Sequence, residues 1–294
     1  MTSAHALTLD FGGKWQGAYG SAACPICQPE RRADQNALAI REGGNGRLLL
    51  HCHKLGCDFT DIVAAAHIST NGYRPPNPLE FTRREAEKQA AAAKRTRQAH
   101  RLWQEAQEIN DTPAETYLRS RGITCALPSS LRFHPFCWQG ATASQHPALV
   151  ALIQGGDGFA VHRTYLRADG CGKAALTPVK AMLGGVTGGA VRLTEARGSL
   201  VVAEGIETAL SLACGLLPVP ATIWAALSTS GLRGLRLPTE PGRLTIASDG
   251  DTAGRDAADA LAERAHATGW VVSLLPAPDG CDWNDILTTT RGNE

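Results

Sequence analysis

No Gly-x4-Gly-Lys-Ser/Thr phosphate loop occurs in the 294 residues, which argues against a fused ATPase or helicase. No apolar run approaches the ~20 residues that a membrane span needs, so no membrane partner is expected. The start, Met1-Thr2-Ser3-Ala4-His5, lacks the basic region and apolar core of a secretory leader. Nine cysteines without an export signal then point to a reducing, cytoplasmic setting. There, clustered cysteines are metal ligands more often than disulfides. Lysine is absent from Val201 to the end.

That last absence marks a polarity. From Val201 onward 12 Asp/Glu stand against 6 Arg, a net of −6. With +1 overall, the first 200 residues carry +7. A basic front that holds a polyanion and an acidic rear that performs metal chemistry fit this division. Random segregation of charge is the plain alternative.

Residues 1–70 are rich in Cys, His and Gly, with short strand-like pieces such as Arg47–His51. Prolines make Asn71–Pro78 a linker. Thr82 to about Glu108 lacks Pro and Gly and reads as a helix, opened by a Thr82–Glu85 capping box. Seven Lys/Arg and two Glu between Arg83 and Arg101 give it a basic face, on which Arg97 and Arg101 are candidates for nucleic-acid contact. A second helix runs from about Pro113 to Gly122. Short strands and turns over 131–193 read as mainly antiparallel. From Leu200 strands alternate with helices, which implies a parallel sheet.

Cys24-Pro-Ile-Cys27 and Cys52-His-Lys-Leu-Gly-Cys57 are two close pairs around a strand-rich stretch. Four such ligands, Cys24, Cys27, Cys52 and Cys57, close a tetrahedral structural Zn²⁺ site, one ion per chain. His51 or His53 could replace one of them. The scattered Cys125, Cys137, Cys171, Cys214 and Cys281 read as packing residues.

The strongest signals are acidic. Leu200-Val-Val-Ala203 runs into Glu204-Gly205, and Leu244-Thr-Ile-Ala247 into Ser248-Asp249-Gly250-Asp251. Carboxylates at strand ends beside glycines suit Mg²⁺, a hard ion bound through few carboxylates plus substrate phosphates. With the closing Asp282-Trp-Asn284-Asp285, these motifs resemble the Toprim domain of bacterial-type primases, type IA and II topoisomerases and some nucleases. A zinc module upstream of such a domain is the order found in DnaG-like and phage or mobile-element primases. The resemblance implies an α+β protein with four parts. They are a small zinc-ribbon module (1–70), a linker and basic helix (71–110), an α+β subdomain of the catalytic core (111–197) and an α/β, Rossmann-like Toprim domain (198–294).

The resemblance also implies roles. Glu204, Asp249 and Asp251 would be catalytic. With Asp285, and Asp282 beside it, they would hold one to three Mg²⁺ or Mn²⁺ ions. Glu207 is either a carboxylate behind the ligands or a solvated helix-start charge, and Asn284 is either part of the motif or a helix cap. Arg163 and Lys180 are either solvated strand charges or contacts to template or nucleotide phosphates, Arg255 is a further candidate for such contact, and His162 reads as structural. The function expected is a DNA primase that makes short RNA primers from NTPs on single-stranded DNA, for a phage, plasmid or other mobile element. A separate replicative helicase would be its partner. Two rivals stand beside it. One is a Toprim nuclease; the other is a RecR-like recombination mediator that binds DNA without catalysis. A topoisomerase is disfavoured by the short chain and its four tyrosines.

Overall fold

The chain folds as two units, Met1–Ala90 and Ala91–Glu294. The computed structural model describes residues 3–32, 34–43, 47–68 and 78–291, so the expected linker lies, up to residue 77, outside the described residues.

In the first unit, helix α1 (Ala4–Asp10) starts at Ser3, whose Oγ accepts the Ala6 N–H at 3.1 Å. Strands β1 (Lys14–Trp15), β2 (Gly20–Ala22), β3 (Leu38–Glu42) and β4 (Leu48–Cys52) form an antiparallel sheet in that order. Helix α2 (Phe59–Ala65) follows, capped by Asp58. Gly20 packs so tightly on Thr8 that any Cβ there would overlap it. The core is small, built on Leu7, Phe11, Leu38, Ile40 and Ile62. A module of this size needs a further staple.

Helix α3 (Pro78–Glu105) begins in the first unit and ends in the second. It starts four residues before Thr82, so the expected Thr82–Glu85 capping box lies inside the helix instead of opening it. Proline at the first helical position costs nothing, because that N–H has no partner in any case. The helix also stops short of Glu108, since Gln107–Glu108 is strand β5, paired with Phe133 and Arg132. Helix α4 (Pro113–Ser120) has proline in its first turn.

Strands β6 (Leu131–Gln139), β7 (Ser144–Ile153), β8 (Ala160–Tyr165) and β9 (Lys180–Gly184) complete an antiparallel sheet in the order β5-β6-β7-β8-β9. Ala148, Val150, Val161 and Tyr165 pack with Ala99 of α3 on one face. Leu149, Ala151 and Ala160 face the main core on the other.

The last sheet is assembled from β10 (Val191–Thr194), β11 (Leu200–Ala203), β12 (Thr222–Ala225), β13 (Arg243–Ala247) and β14 (Val271–Leu274). Its order is β10-β12-β11-β13-β14, parallel except for the edge strand β10. Every residue of β11 is buried, as its unbroken apolar run requires of a central strand. Helix α5 (Ile206–Ser211) follows β11 and runs on to a kink where Cys214 and Gly215 leave helical dihedrals. Helices α6 (Thr229–Gly234), α7 (Thr252–Ala267) and α8 (Trp283–Arg291) complete the unit.

One core joins both sheets of this unit. Tyr117, Leu118, Phe133 and Leu149 belong to the same buried cluster as Val201, Ile206, Leu210 and Leu287. Strand β10 also lies upstream of residue 198 yet joins the C-terminal sheet. Among the described residues, no helix is long and apolar enough to cross a membrane.

Candidate functional site

In the first unit the loop after β2 carries Cys24 and Cys27, and the end of β4 carries Cys52, with Cys57 beyond a turn. Their four Sγ atoms lie within 4.8 Å of one another, with Cys27 and Cys52 3.5 Å apart. Tetrahedral Zn–S bonds of ~2.3 Å require sulfur spacings near 3.8 Å, so the group suits one zinc ion. Gln28 Oε1 braces the first loop by accepting the N–H groups of Cys24 (3.3 Å) and Ala37 (2.9 Å). Burial opposes charge at Cys52, but the N–H groups of Leu55, Cys57 and Lys54 bring its thiol down to about 6. Burial and the neighbouring sulfurs push Cys27 up to about 12. A dication relieves that conflict by holding both as thiolates. His51 and His53 stack edge-on against each other at 4.6 Å and are not part of the group.

In the second unit, Glu204 follows β11 while Asp249 and Asp251 follow β13, at the carboxyl ends of adjacent parallel strands. Ligands of open α/β sheets bind at that edge. Gly250 lets the turn press onto the 278–281 loop: its N–H donates to Cys281 O at 2.8 Å, and a Cβ would overlap Pro278 O. This contact brings Asp282 within reach of Asp249. Burial, then Glu204, Asp282 and Asp251, push Asp249 up to about 6, against a Thr208 hydroxyl 3.5 Å away. Burial and Asp251 also raise Glu204, opposed by Lys180 and the Thr229 N–H. Two partly buried carboxylates, each raised by acids around it, are part of a donor set that a hard divalent cation fits. Asp251 also caps α7, its Oδ1 accepting the Gly254 N–H at 2.6 Å.

The closing motif differs from expectation. Asp282 Oδ1 accepts the N–H groups of Asn284 and Asp285, each at 2.8 Å, and Asp285 Oδ2 accepts the Asp282 N–H at 3.0 Å. Asp285 is therefore turned back onto the start of α8 in a reciprocal cap. Asp282, not Asp285, is the acid whose charge Asp249 feels. Asn284, by contrast, is no cap. It is fully buried, and its Nδ2 donates to Arg121 O and Ser211 Oγ, both at 2.8 Å, tying α8 to α5 and the end of α4.

Glu207 is not a solvated charge. It is buried in the first turn of α5, where it accepts the Tyr117 hydroxyl at 2.6 Å and pairs with Lys173 at 3.0 Å and Lys180 at 3.5 Å. Burial alone would raise it, but Lys180, Lys173 and Tyr117 outweigh burial and hold it well below the usual carboxylate range. Sequence reasoning missed Lys173 and Tyr117 entirely; no local motif marks them.

The basic candidates divide. Lys180 pairs in register with Thr164, and Met182 with His162, so Lys180 shares a sheet face with the buried His162. Arg163 is one residue out of phase. It lies on the opposite face, donating to Trp138 O and Met182 O, and is not brought together with Lys180. Arg255 is tied to Asp279. Arg97 and Arg101 are exposed on α3, with Arg101 paired to Glu105 at 2.7 Å.

Residues 93–193 match a domain of unknown function, DUF7146, and residues 199–293 match the Toprim domain. Residues 199–293 are a Toprim domain. Its bounds take in Glu204, Asp249, Asp251 and the Asp282–Asp285 cap, while β10 adds a strand to the Toprim sheet from outside the matched segment. No curated protein matches the chain in sequence. Among solved structures it is similar to the zinc-binding and RNA polymerase domains of the Aquifex aeolicus primase (TM-score 0.44, 15% identity, 98% of this chain and 83% of that one). It is also similar to a DNA primase domain from Pseudomonas aeruginosa (0.39, 16%, 66% and 74%). A third is the RNA polymerase domain of Mycobacterium tuberculosis DnaG (0.38, 18%, 68% and 81%).

Proposed function

We propose that this protein is a DNA primase, a nucleotidyltransferase that joins ribonucleotides on a single-stranded DNA template. The observation that carries the reading is the acid group of the Toprim domain: Glu204, Asp249 and Asp251 at adjacent strand ends, with the Lys180 ammonium acting on Glu204 from the neighbouring sheet. Asp249 and Asp251 would hold Mg²⁺ or Mn²⁺, with Asp282 in place of Asp285 as a further acid and Glu204 beside them as the proton acceptor. Bound there, the ions supply positive charge against the triphosphate.

The chain's own groups do the rest. Glu204, its proton affinity raised by burial and Asp251, accepts the proton of the attacking 3′-hydroxyl. The new bond joins that oxygen to the α-phosphorus, and the bond to pyrophosphate breaks. Lys180 meets the charge on the phosphates. The four-cysteine module and the basic, exposed face of α3, including Arg97 and Arg101, would engage template, with salt-sensitive affinity. The four-part division at residues 70, 110 and 197 belongs to the same reading. So do a mobile-element setting, a cytoplasmic location and a separate helicase.

The test is incubation with single-stranded DNA, Mg²⁺ and labelled NTPs. Labelled primers are expected from the wild type and none from Asp249→Ala. Cleavage of the DNA without NTPs would instead identify a nuclease. DNA binding with no synthesis on any template would identify a mediator.

A further inference from the structure

Glu207 is 6% exposed, on the first turn of α5 and three residues beyond Glu204. A carboxylate so deep is stable only with partners in fixed places. Its partners come from two distant parts of the chain, α4 and the stretch that leads into β9. Tyr117 Oη and Lys173 Nζ meet Oε1 at 2.6 and 3.0 Å, and Lys180 Nζ meets Oε2 at 3.5 Å. The Lys173 ammonium also lies 5.9 Å from the centre of the Tyr117 ring. Two ammonium groups on one carboxylate leave a positive charge over, and both lysine side chains stay open to solvent at 36% and 40%. The surplus lies beside the acids of the Toprim domain, since Lys180 is felt by Glu204.

We propose that Glu207 is a positioning residue that holds Lys173 and Lys180 as a paired binding site for the polyphosphate of an incoming nucleoside triphosphate. The inference rests on the nucleotidyl-transfer reading of the acid group. Its physical logic is a competition. Without the Glu207 charge the two ammonium groups repel each other, and Lys180 is drawn to Glu204, where it neutralises the carboxylate meant to take a proton. With Glu207 in place, each lysine is held by a separate oxygen and presents its remaining N–H donors outward. A lysine ammonium is a compact point charge suited to non-bridging phosphate oxygens. Tyr117 fixes the carboxylate from behind.

The test uses the full chain and inorganic tripolyphosphate, titrated calorimetrically without divalent metal. The wild type should bind. Lys173→Met and Lys180→Met should each weaken binding roughly tenfold, the loss of one charge-assisted hydrogen bond. Glu207→Gln should also weaken it roughly tenfold, although it makes the site more positive. Equal or tighter binding by Glu207→Gln would overturn the positioning role, because the carboxylate would then only offset charge. If Glu207→Gln fails to fold, Tyr117→Phe and Lys173→Met decide the matter, and unchanged affinity in both sinks the proposal. In primer synthesis Lys173→Met should raise the KM for NTP far more than it lowers kcat. A wild type that ignores tripolyphosphate would count against the nucleotidyl-transfer reading itself. Binding by the wild type that Lys173→Met leaves untouched counts against the paired site alone.

Discussion

In the first unit four sulfur atoms from two loops lie within 4.8 Å of one another. In the second, acids around Glu204 and Asp249 raise both of them, yet among the described residues no such closed group of carboxylates forms. On the proposed function the difference follows from what each site would do. A structural ion takes its whole coordination shell from the protein, so the ligands converge and the surrounding backbone turns N–H groups onto them. A site that works on phosphates leaves part of the shell to substrate and water, so its carboxylates stand apart. The two regions also stabilise the chain in opposite ways. The cysteine site supports a small core, whereas the acid site stores repulsion that a cation relieves.

The largest effect should come from breaking the closed site. Cys24→Ser, or chelation, should unfold 1–90 while 91–294 keeps its own cooperative transition. Structural zinc contributes on the order of 10 kcal/mol to such modules. Metal analysis should find one zinc per wild-type chain, and hydrogen exchange should show protection lost only before residue 91. Protection retained throughout would show that the core suffices without the ion.

Next comes the open site, through pH. Asp249 has a folded-state pKa raised to about 6. A raised carboxyl favours folding most below its unfolded pKa, near 4, and that contribution is lost as pH rises through about 6. Without divalent ions, Asp249→Asn should therefore raise Tm at pH 7.5 and change it little at pH 4. Mg²⁺ should stabilise the wild type more strongly above pH 6 than below it, because the proton competes for the same oxygens. A Tm gain that is equal at both pH values would mean that Asp249 carries no stored repulsion.

The third test separates two acids three residues apart. Asp282→Asn should lower primer synthesis, while Asp285→Ala should cost about 1 kcal/mol of stability, as for a lost helix cap, with a smaller effect on synthesis. The reverse pattern would restore Asp285 as the ligand. The smallest effect is expected from Arg163→Ala, whose side chain lies on the far face of its sheet. KM for NTP should stay near the wild-type value, and a large rise would show that the face assignment is wrong.

Most of the C-terminal sheet was legible in the sequence because each strand is a short apolar run closed by a turn residue. Leu200–Ala203, which runs into Glu204-Gly205, and Leu244–Ala247, which runs into Ser248-Asp249-Gly250, follow that pattern most closely. The start of α3 was not, since a capping-box pattern at Thr82 occurs equally well inside a helix. Nor was the division between Lys180 and Arg163. Sheet faces alternate with period two, so a face is assigned only once the register Thr164↔Lys180 is known. Asp282 and Asp285 are chemically equivalent in sequence and both cap α8, so only the fold tells which of them is felt by Asp249.

By itself the sequence determined the four zinc-suited cysteines, the alternation that makes the Toprim sheet, and Glu204, Asp249 and Asp251 as its acids. Those signals are local, because a knuckle or a strand end is specified by residues a few positions apart. Tertiary structure alone decided the partners of Glu207. Tyr117 lies 90 residues away in sequence, Lys180 stands on β9 of the other sheet, and Lys173 lies in the loop before it. A buried carboxylate needs its cations in space, and no spacing along the chain records which ones will arrive.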